Sequence, residues 1–76
     1  MMKAFVLIHG NPGSLPEIVR NLKRINSVAE AHMTFGPYDV VAIVQATDIK
    51  EMGQLIATQI QPIPGILDTM TCLVTE

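Results

Sequence analysis

Two neighbouring residues, Tyr38 and Asp39, are the most chemically suggestive side chains in this sequence of 76 residues. They end the pentapeptide 35–39 (Phe-Gly-Pro-Tyr-Asp), which separates two apolar runs, 28–34 and 40–46. Glycine reaches positive φ without a steric penalty, proline fixes its own φ, and aspartate bonds nearby backbone N–H groups. The pentapeptide therefore predicts a tight hairpin turn that presents a phenol and a carboxylate.

The remaining chemistry-bearing residues favour structural roles. Residues 9–13 (His-Gly-Asn-Pro-Gly) could form a phosphate or oxyanion loop, but they include neither a nucleophile nor a P-loop lysine, so a plain strand-to-helix turn is favoured. His9 and His32 fall on different predicted strands, without the cysteine or grouped carboxylates that a metal site would need. Cys72 lies mid-strand among apolar residues, which favours packing over nucleophilic chemistry. We expect no catalytic residue, no metal and no cofactor.

The composition is apolar and poor in charge for so small a domain. Hydrophobic residues make up 49% of the chain and charged residues only 16%. A domain of this size buries only about 60–65% of the surface that its unfolded chain exposes. The excess apolar side chains therefore need a further place to be buried, and an oligomer interface is the simplest one.

Charge and hydropathy limit the possible binding partners and the cellular compartment of the protein. The net charge is −2, and five Lys and Arg residues are too few for a surface that displaces counterions from nucleic acid. No apolar run approaches the roughly 20 residues that span a bilayer, and the first residues lack a signal-peptide pattern. A single cysteine cannot form an internal disulfide. We expect a cytoplasmic protein with no direct contact to nucleic acid or membrane.

The hydrophobic pattern predicts the element order β-α-β-β-α-β. Strands are expected at 3–9, 28–35, 40–46 and 66–74, and two apolar stripes at helical spacing lie between them. The first helix starts with a capping box, in which Ser14 and Glu17 each bond the other's backbone N–H. The second helix is capped by Asp48, with Glu51 three residues on. Gly53 inside it indicates close packing, because glycine otherwise weakens a helix.

This order predicts one ferredoxin-like α+β domain, residues 1–76. A right-handed crossover in each half gives a four-stranded antiparallel sheet with both helices on one face. Strands 3–9 and 40–46 are apolar on both faces, so the face without helices must also be covered. Exposing a large apolar patch is unfavourable. A second copy of the chain is available to cover it, which predicts a sheet-to-sheet dimer, a dimeric α/β barrel.

Three stretches match a known family in register. They are the opening strand 4–8 (Ala-Phe-Val-Leu-Ile), the hairpin 36–39 (Gly-Pro-Tyr-Asp), and 63–71 (Ile-Pro-Gly-Ile-Leu-Asp-Thr-Met-Thr) before and in the last strand. With these marks the chain resembles the effector-binding and oligomerising domain of the Lrp/AsnC regulators, also called the domain for regulation of amino acid metabolism. Those regulators carry an N-terminal helix-turn-helix domain, which residues 1–76 do not contain. The resemblance is therefore to a stand-alone version.

The resemblance implies a function and a site. Dimers of such domains associate into rings, such as octamers or decamers, and amino acid effectors lie in clefts between dimers. Asp39 would bind the ligand's ammonium group, while backbone N–H groups near Gly36 and threonine hydroxyls would bind its carboxylate. Ile49 would select the side chain. The implied ligand-binding residues are Gly36, Tyr38, Asp39, Thr69 and Thr71.

Each of these residues also has a structural interpretation. Asp39 could bond only its own turn, Tyr38 could anchor an interface, and Thr69 and Thr71 could be ordinary strand residues. The resulting hypothesis is a non-enzymatic effector-binding and oligomerisation module linked to transcriptional regulation, with a full-length Lrp/AsnC-type regulator as a further partner. The alternatives are an assembly scaffold without ligand and a small α/β-barrel enzyme of the monooxygenase type.

Overall fold

The computed structural model describes residues 1–75 and shows the expected element order. Strand β1 (Met2–Gly10) leads through a short 3₁₀ turn (Pro12–Ser14) into helix α1 (Leu15–Lys23). Strands β2 (Val28–Met33) and β3 (Val40–Ala46) form the central hairpin, and helix α2 (Ile49–Leu55) continues as a π-helical segment, Ile56–Ile60, before strand β4 (Ile66–Leu73).

The four strands form one antiparallel sheet in the order β2-β3-β1-β4. The two strands predicted to be apolar on both faces, β1 and β3, are the central pair, and β2 and β4 are the edges. This is the ferredoxin-like arrangement that the sequence predicts. No helix among the described residues is long and apolar enough to cross a membrane.

Both helices pack on one face of the sheet and form a single core with it. Alternate residues of β1 and β3 point into this core, as period-2 strand geometry requires, and Ile18 and Leu22 of α1 are fully buried against them. Met52 and Leu55 contribute from α2. The sheet residues of the core are Ala4, Val6, Ile8, Ala31, Val40, Ala42, Val44 and Ala46.

The helix starts differ in how they are capped. Asp48 accepts the Glu51 N–H at 2.8 Å, as predicted, while the Glu51 carboxylate accepts the Thr47 N–H at 2.9 Å. The capping box expected at Ser14 is wrong, because the Ser14 side chain makes no cap hydrogen bond. Ser14 lies within the preceding 3₁₀ turn, and its side chain packs against Gly65.

A β-bulge shifts the faces of β2. Val28 pairs with Val44 and Glu30 pairs with Ile43, which leaves Ala29 as an extra residue. The sequence pattern puts Val28 on the same face as Glu30, but the bulge turns Val28 toward the core. A period-2 pattern cannot reveal such an insertion, because a bulge changes the phase of every residue beyond it.

Candidate functional site

The hairpin between β2 and β3 is held closed by its own backbone and anchored to β1. The Thr34 N–H donates to the Asp39 carbonyl and the Asp39 N–H donates to the Ile8 carbonyl, both at 2.9 Å. Gly36 has φ +148°, a conformation that L side chains rarely adopt. The turn therefore follows the predicted chemistry, and its connection to β1 fixes its place at one end of the sheet.

Asp39 links the hairpin to β1 through its side chain as well. Its Oδ2 accepts the Gly10 N–H at 3.0 Å, and the side chain is half-buried. The interpretation that Asp39 bonds only its own turn is therefore wrong, because its partner lies on another strand.

His9, at the end of β1, is the centre of the contacts around the hairpin. Its Nδ1 lies 2.7 Å from Oδ1 of Asp68 on β4, and its Nε2 lies 2.6 Å from the Pro37 carbonyl in the hairpin. The Tyr38 ring stacks on the imidazole, with ring centroids 4.3 Å apart and planes inclined by 12°. The Tyr38 hydroxyl reaches Sδ of Met70 at 3.4 Å. We call these residues the His9 cluster: His9, Pro37, Tyr38, Asp39, Asp68 and Met70.

The contacts of His9 favour its charged form. The hydrogen bond to the Pro37 carbonyl and the hydrogen bond to Asp68 both raise the pKa of His9 above its ordinary value of 6.5, and the charges of Asp68 and Asp39 act in the same direction. Desolvation opposes them but does not reverse the shift. The cluster thus combines a histidine whose protonation is favoured with two carboxylates.

The two threonines predicted to bind ligand lie on the other face of the sheet. Thr69 pairs with Ile8 and Thr71 with Val6, both buried beneath the helices, and directly opposed residues of an antiparallel pair share a face. Tyr38 reaches β4 through Met70, which pairs with Leu7 on the face without helices. One subunit therefore does not bring the five predicted residues into one pocket.

The helix-side residues belong to a separate groove of about 240 Å³ between α2 and β4. Thr71 lines it together with Ile49, the residue expected to select a ligand side chain. Thr69 lies beside the groove and receives a hydrogen bond from Gln61 Nε2 at 3.3 Å. Close packing at Gly53 is a wrong expectation, because a Cβ there would meet nothing within 4 Å and the residue borders the open groove.

The face of the sheet without helices is apolar at its centre. Phe5 is 39% exposed and Met70 is 52% exposed, and Leu7, Val41 and Ile43 are half-buried between them. Cys72 pairs with Phe5 and is exposed, so it is part of this face and not of the core. Polar residues occur at its β2 edge, where Glu30 and His32 lie 3.0 Å apart. We call the apolar part the open face: Phe5, Leu7, Val41, Ile43, Met70 and Cys72.

Sequence reasoning missed His9 and Asp68 as partners. The sequence pattern places no carboxylate beside His9, but Asp68, 59 residues away along the chain, is its hydrogen-bonding neighbour in the sheet. The predicted strand topology could have indicated this contact. An antiparallel β1–β4 pair places the end of β1 beside the start of β4, where His9 pairs with Asp68.

Comparison with known proteins identifies the relatives of the chain. It is 32% identical over 75 residues to the HTH-type transcriptional regulator FL11 of Pyrococcus abyssi, covering 99% of this chain and 49% of the regulator. It is 27% identical over 70 residues to the leucine-responsive regulatory protein of Haemophilus influenzae, covering 92% and 42% respectively. The chain thus spans about half the length of the curated relatives it matches.

Solved structures give the same answer at the level of the fold. The TTHA0845 protein of Thermus thermophilus superposes with a TM-score of 0.95 at 30% identity, covering 100% of this chain and 95% of that one. AsnC of E. coli superposes with a TM-score of 0.94 at 25% identity, covering 99% of this chain and 51% of AsnC. The family model described as the Lrp/AsnC ligand-binding domain matches residues 3–76. The chain therefore belongs to the Lrp/AsnC ligand-binding domain family, and the two curated relatives named above are transcriptional regulators and not enzymes.

Proposed function

We propose that this domain binds an amino acid effector at the hairpin and assembles through its open face, as part of a system that regulates transcription in the cytoplasm. The observation that carries the proposal is the position of the His9 cluster, which places two carboxylates and a histidine whose charged form is favoured where the open face meets the hairpin. An amino acid offers the complementary pair of charges, an ammonium and a carboxylate.

The open face supports a dimer. Its residues come from both central strands and from β4, so the apolar side chains are contiguous across the sheet. Phe5 lies between Ile43 on β3 and Cys72 on β4. A second copy packed on this face would bury the patch symmetrically, and the result would be the dimeric α/β barrel. Association of dimers into rings, such as octamers or decamers, is the next step of the proposal.

Ring assembly would also unite the divided site. β4 is an edge strand, so a ligand between dimers could meet Tyr38 and Asp39 of one chain and Thr69 and Thr71 of another. Oδ1 of Asp39 would accept from the ammonium group. The N–H groups near Gly36 and the threonine hydroxyls would donate to the carboxylate, and Ile49 beside Thr71 would contact the side chain. A site completed only between chains would make assembly respond to the effector.

In this proposal, the domain affects transcription through a partner that binds DNA. Five Lys and Arg residues in a chain of net charge −2 give no basic surface for DNA. Mixed assembly with a full-length Lrp/AsnC-type regulator would supply the contact, and the effector would change the composition or size of the mixed ring. The second candidate, an assembly scaffold without ligand, is favoured by the division of the five predicted site residues between two faces of the subunit.

Thermal unfolding in the presence of each proteinogenic amino acid tests the effector. L-methionine is included because a regulator of this fold from Neisseria meningitidis, at 13% identity and a TM-score of 0.90, was solved as its complex with L-Met. A ligand at a hundredfold excess over its Kd should stabilise the folded state by about 2.7 kcal/mol. The absence of a shift with every amino acid would refute effector binding and favour the scaffold.

A pair of variants separates the proposed site from a general effect on stability. Asp39→Asn keeps an oxygen that can accept the Gly10 N–H but removes the charge that would bind the ammonium, so we expect it to abolish the thermal shift while the fold persists. Glu17→Gln removes a carboxylate from the exposed side of α1, where its partner is Arg20, and should leave the shift unchanged. Equal shifts in both variants would exclude Asp39 as the ammonium partner.

A further inference from the structure

His9 has hydrogen-bond acceptors at both of its ring nitrogens. The Pro37 carbonyl at Nε2 can only accept, and so can the ionised Asp68 carboxylate at Nδ1. A neutral imidazole carries one N–H and could satisfy only one of the two, leaving its lone pair directed at an oxygen. Both contacts are hydrogen bonds only when the ring is an imidazolium.

The two acceptors belong to different parts of the fold. Pro37 lies in the hairpin and Asp68 lies at the start of β4, which are 28 and 59 residues from His9 in sequence. The hairpin and β4 are not neighbouring strands, because β1 separates β3 from β4. His9 therefore joins two elements that share no backbone ladder with each other.

We propose that protonated His9 is a positioning residue that fixes the hairpin against β4, and that the hairpin loosens when this imidazolium loses its proton. The groups that face the ring are Asp39 and Tyr38 from the hairpin side and Asp68 from β4. Both carboxylates favour the cation, and the stacked Tyr38 ring presents the kind of π-face that attracts one. When the ring loses a proton, either Nε2 or Nδ1 no longer has a hydrogen to donate, and the hydrogen bond to the Pro37 carbonyl or to Asp68 is lost.

The direction of the pH effect follows from linkage. The pKa of His9 is raised in the folded state, so its stabilising contribution is complete below the unfolded value of about 6.5 and is lost as the pH rises through the folded value. If the hairpin binds an effector as proposed above, affinity should fall over the same pH interval. That consequence rests on the proposed function, whereas the linkage itself does not.

Two measurements on the full chain test the inference. Imidazole ¹⁵N shifts should show His9 doubly protonated below its midpoint, a midpoint above 6.5, and a lower midpoint in Asp68→Asn. The protection of the Asp39 amide, corrected for intrinsic exchange, should fall as His9 deprotonates, because this N–H closes the hairpin onto Ile8. A His9 midpoint at or below 6.5, or amide protection that does not follow the titration, would overturn the inference.

His9→Gln provides the matched control, since glutamine retains hydrogen-bonding groups but does not titrate. The difference in unfolding free energy between the natural chain and His9→Gln should decrease as the pH rises through the His9 midpoint. His32 is present in both chains, so its titration cancels in the difference. A difference independent of pH would refute the inference. If His9 behaves as expected while L-methionine and the other amino acids fail to bind, the proposed function fails and the role of His9 stands.

Discussion

Replacing Phe5 by alanine should weaken the proposed dimer by about a thousandfold. Phe5 lies at the centre of the open face and is 39% exposed in the single chain. A phenylalanine side chain has roughly 200 Å² of surface, so about 80 Å² remains to be buried by a partner. At ~25 cal/mol per Å² this is about 2 kcal/mol for each copy.

The symmetry of the dimer doubles the effect. A two-fold interface contains the same residue from both chains, so the two substitutions together remove about 4 kcal/mol of association free energy. A tenfold change in Kd corresponds to about 1.4 kcal/mol, which gives a loss on the order of a thousandfold. Phe5 lies outside the core on the opposite face of the sheet, but about 120 Å² of its side chain is already covered within its own subunit. The substitution should therefore also lower the free energy of unfolding of the monomer, by up to about 3 kcal/mol, and urea unfolding should show that the variant subunit is still folded before its association is measured.

Sedimentation velocity over a dilution series measures the dissociation constant. Phe35→Ala is the matched control, because Phe35 is the other phenylalanine, is fully exposed, and lies in the hairpin and not on the open face. It should leave dimerisation unchanged, whatever it does to ring formation. A natural chain that is monomeric at micromolar concentration, or equal dissociation constants for Phe5→Ala and Phe35→Ala, would refute the argument from the open face.

Three further substitutions test the local structure by urea unfolding. Gly65→Ala should destabilise the fold by about 1–3 kcal/mol, because Gly65 has φ +95° and a new Cβ would lie 2.5 Å from the Ser14 Cβ; Gly13→Ala, with open space around it, is its control. Gly53→Ala should stabilise the fold by about 1 kcal/mol, since its Cβ meets open space, and a loss of stability would contradict the open groove at this position. Asp48→Ala should lower the free energy of unfolding by about 1 kcal/mol, because it removes the cap of α2. Asp48→Asn should keep most of that stability, because its side-chain oxygen can still accept the Glu51 N–H.

The parts of the fold that the sequence predicts are those set by local periodicity. The apolar stripe of α1 and the two-sided apolar character of β1 and β3 follow from spacing alone, and they determine which elements are central. The failures have a different origin. Ser14 has the residue type of a cap but lies in a 3₁₀ turn, and Gly53 weakens its helix without a packing partner. Residue type gives a preference, which the surrounding structure overrides.

In the candidate site, too, some features follow from the local sequence and others depend on the folded structure. The hairpin and the importance of Tyr38 and Asp39 are visible from turn chemistry, since the glycine, proline and aspartate each indicate the turn. The partner of Asp39 on β1 and the hydrogen bond between His9 and Asp68 depend on strand register over dozens of residues. Register follows from how the whole sheet is assembled, so a linear pattern cannot show which charged residues meet.

The central position of β1 affects how the domain folds while it is being synthesised. β1 is the first of the four strands to be made, and one of its two neighbours, β4, begins only at Ile66. Until β4 has been made, one hydrogen-bonding edge of this central apolar strand remains unpaired, although β3 can already cover the other. Unpaired edges and exposed apolar surface promote association between incomplete chains. The nascent domain is thus most vulnerable to aggregation until β4 has been made, and co-expressed chaperones should raise its yield more than that of a fold whose central strand is made late.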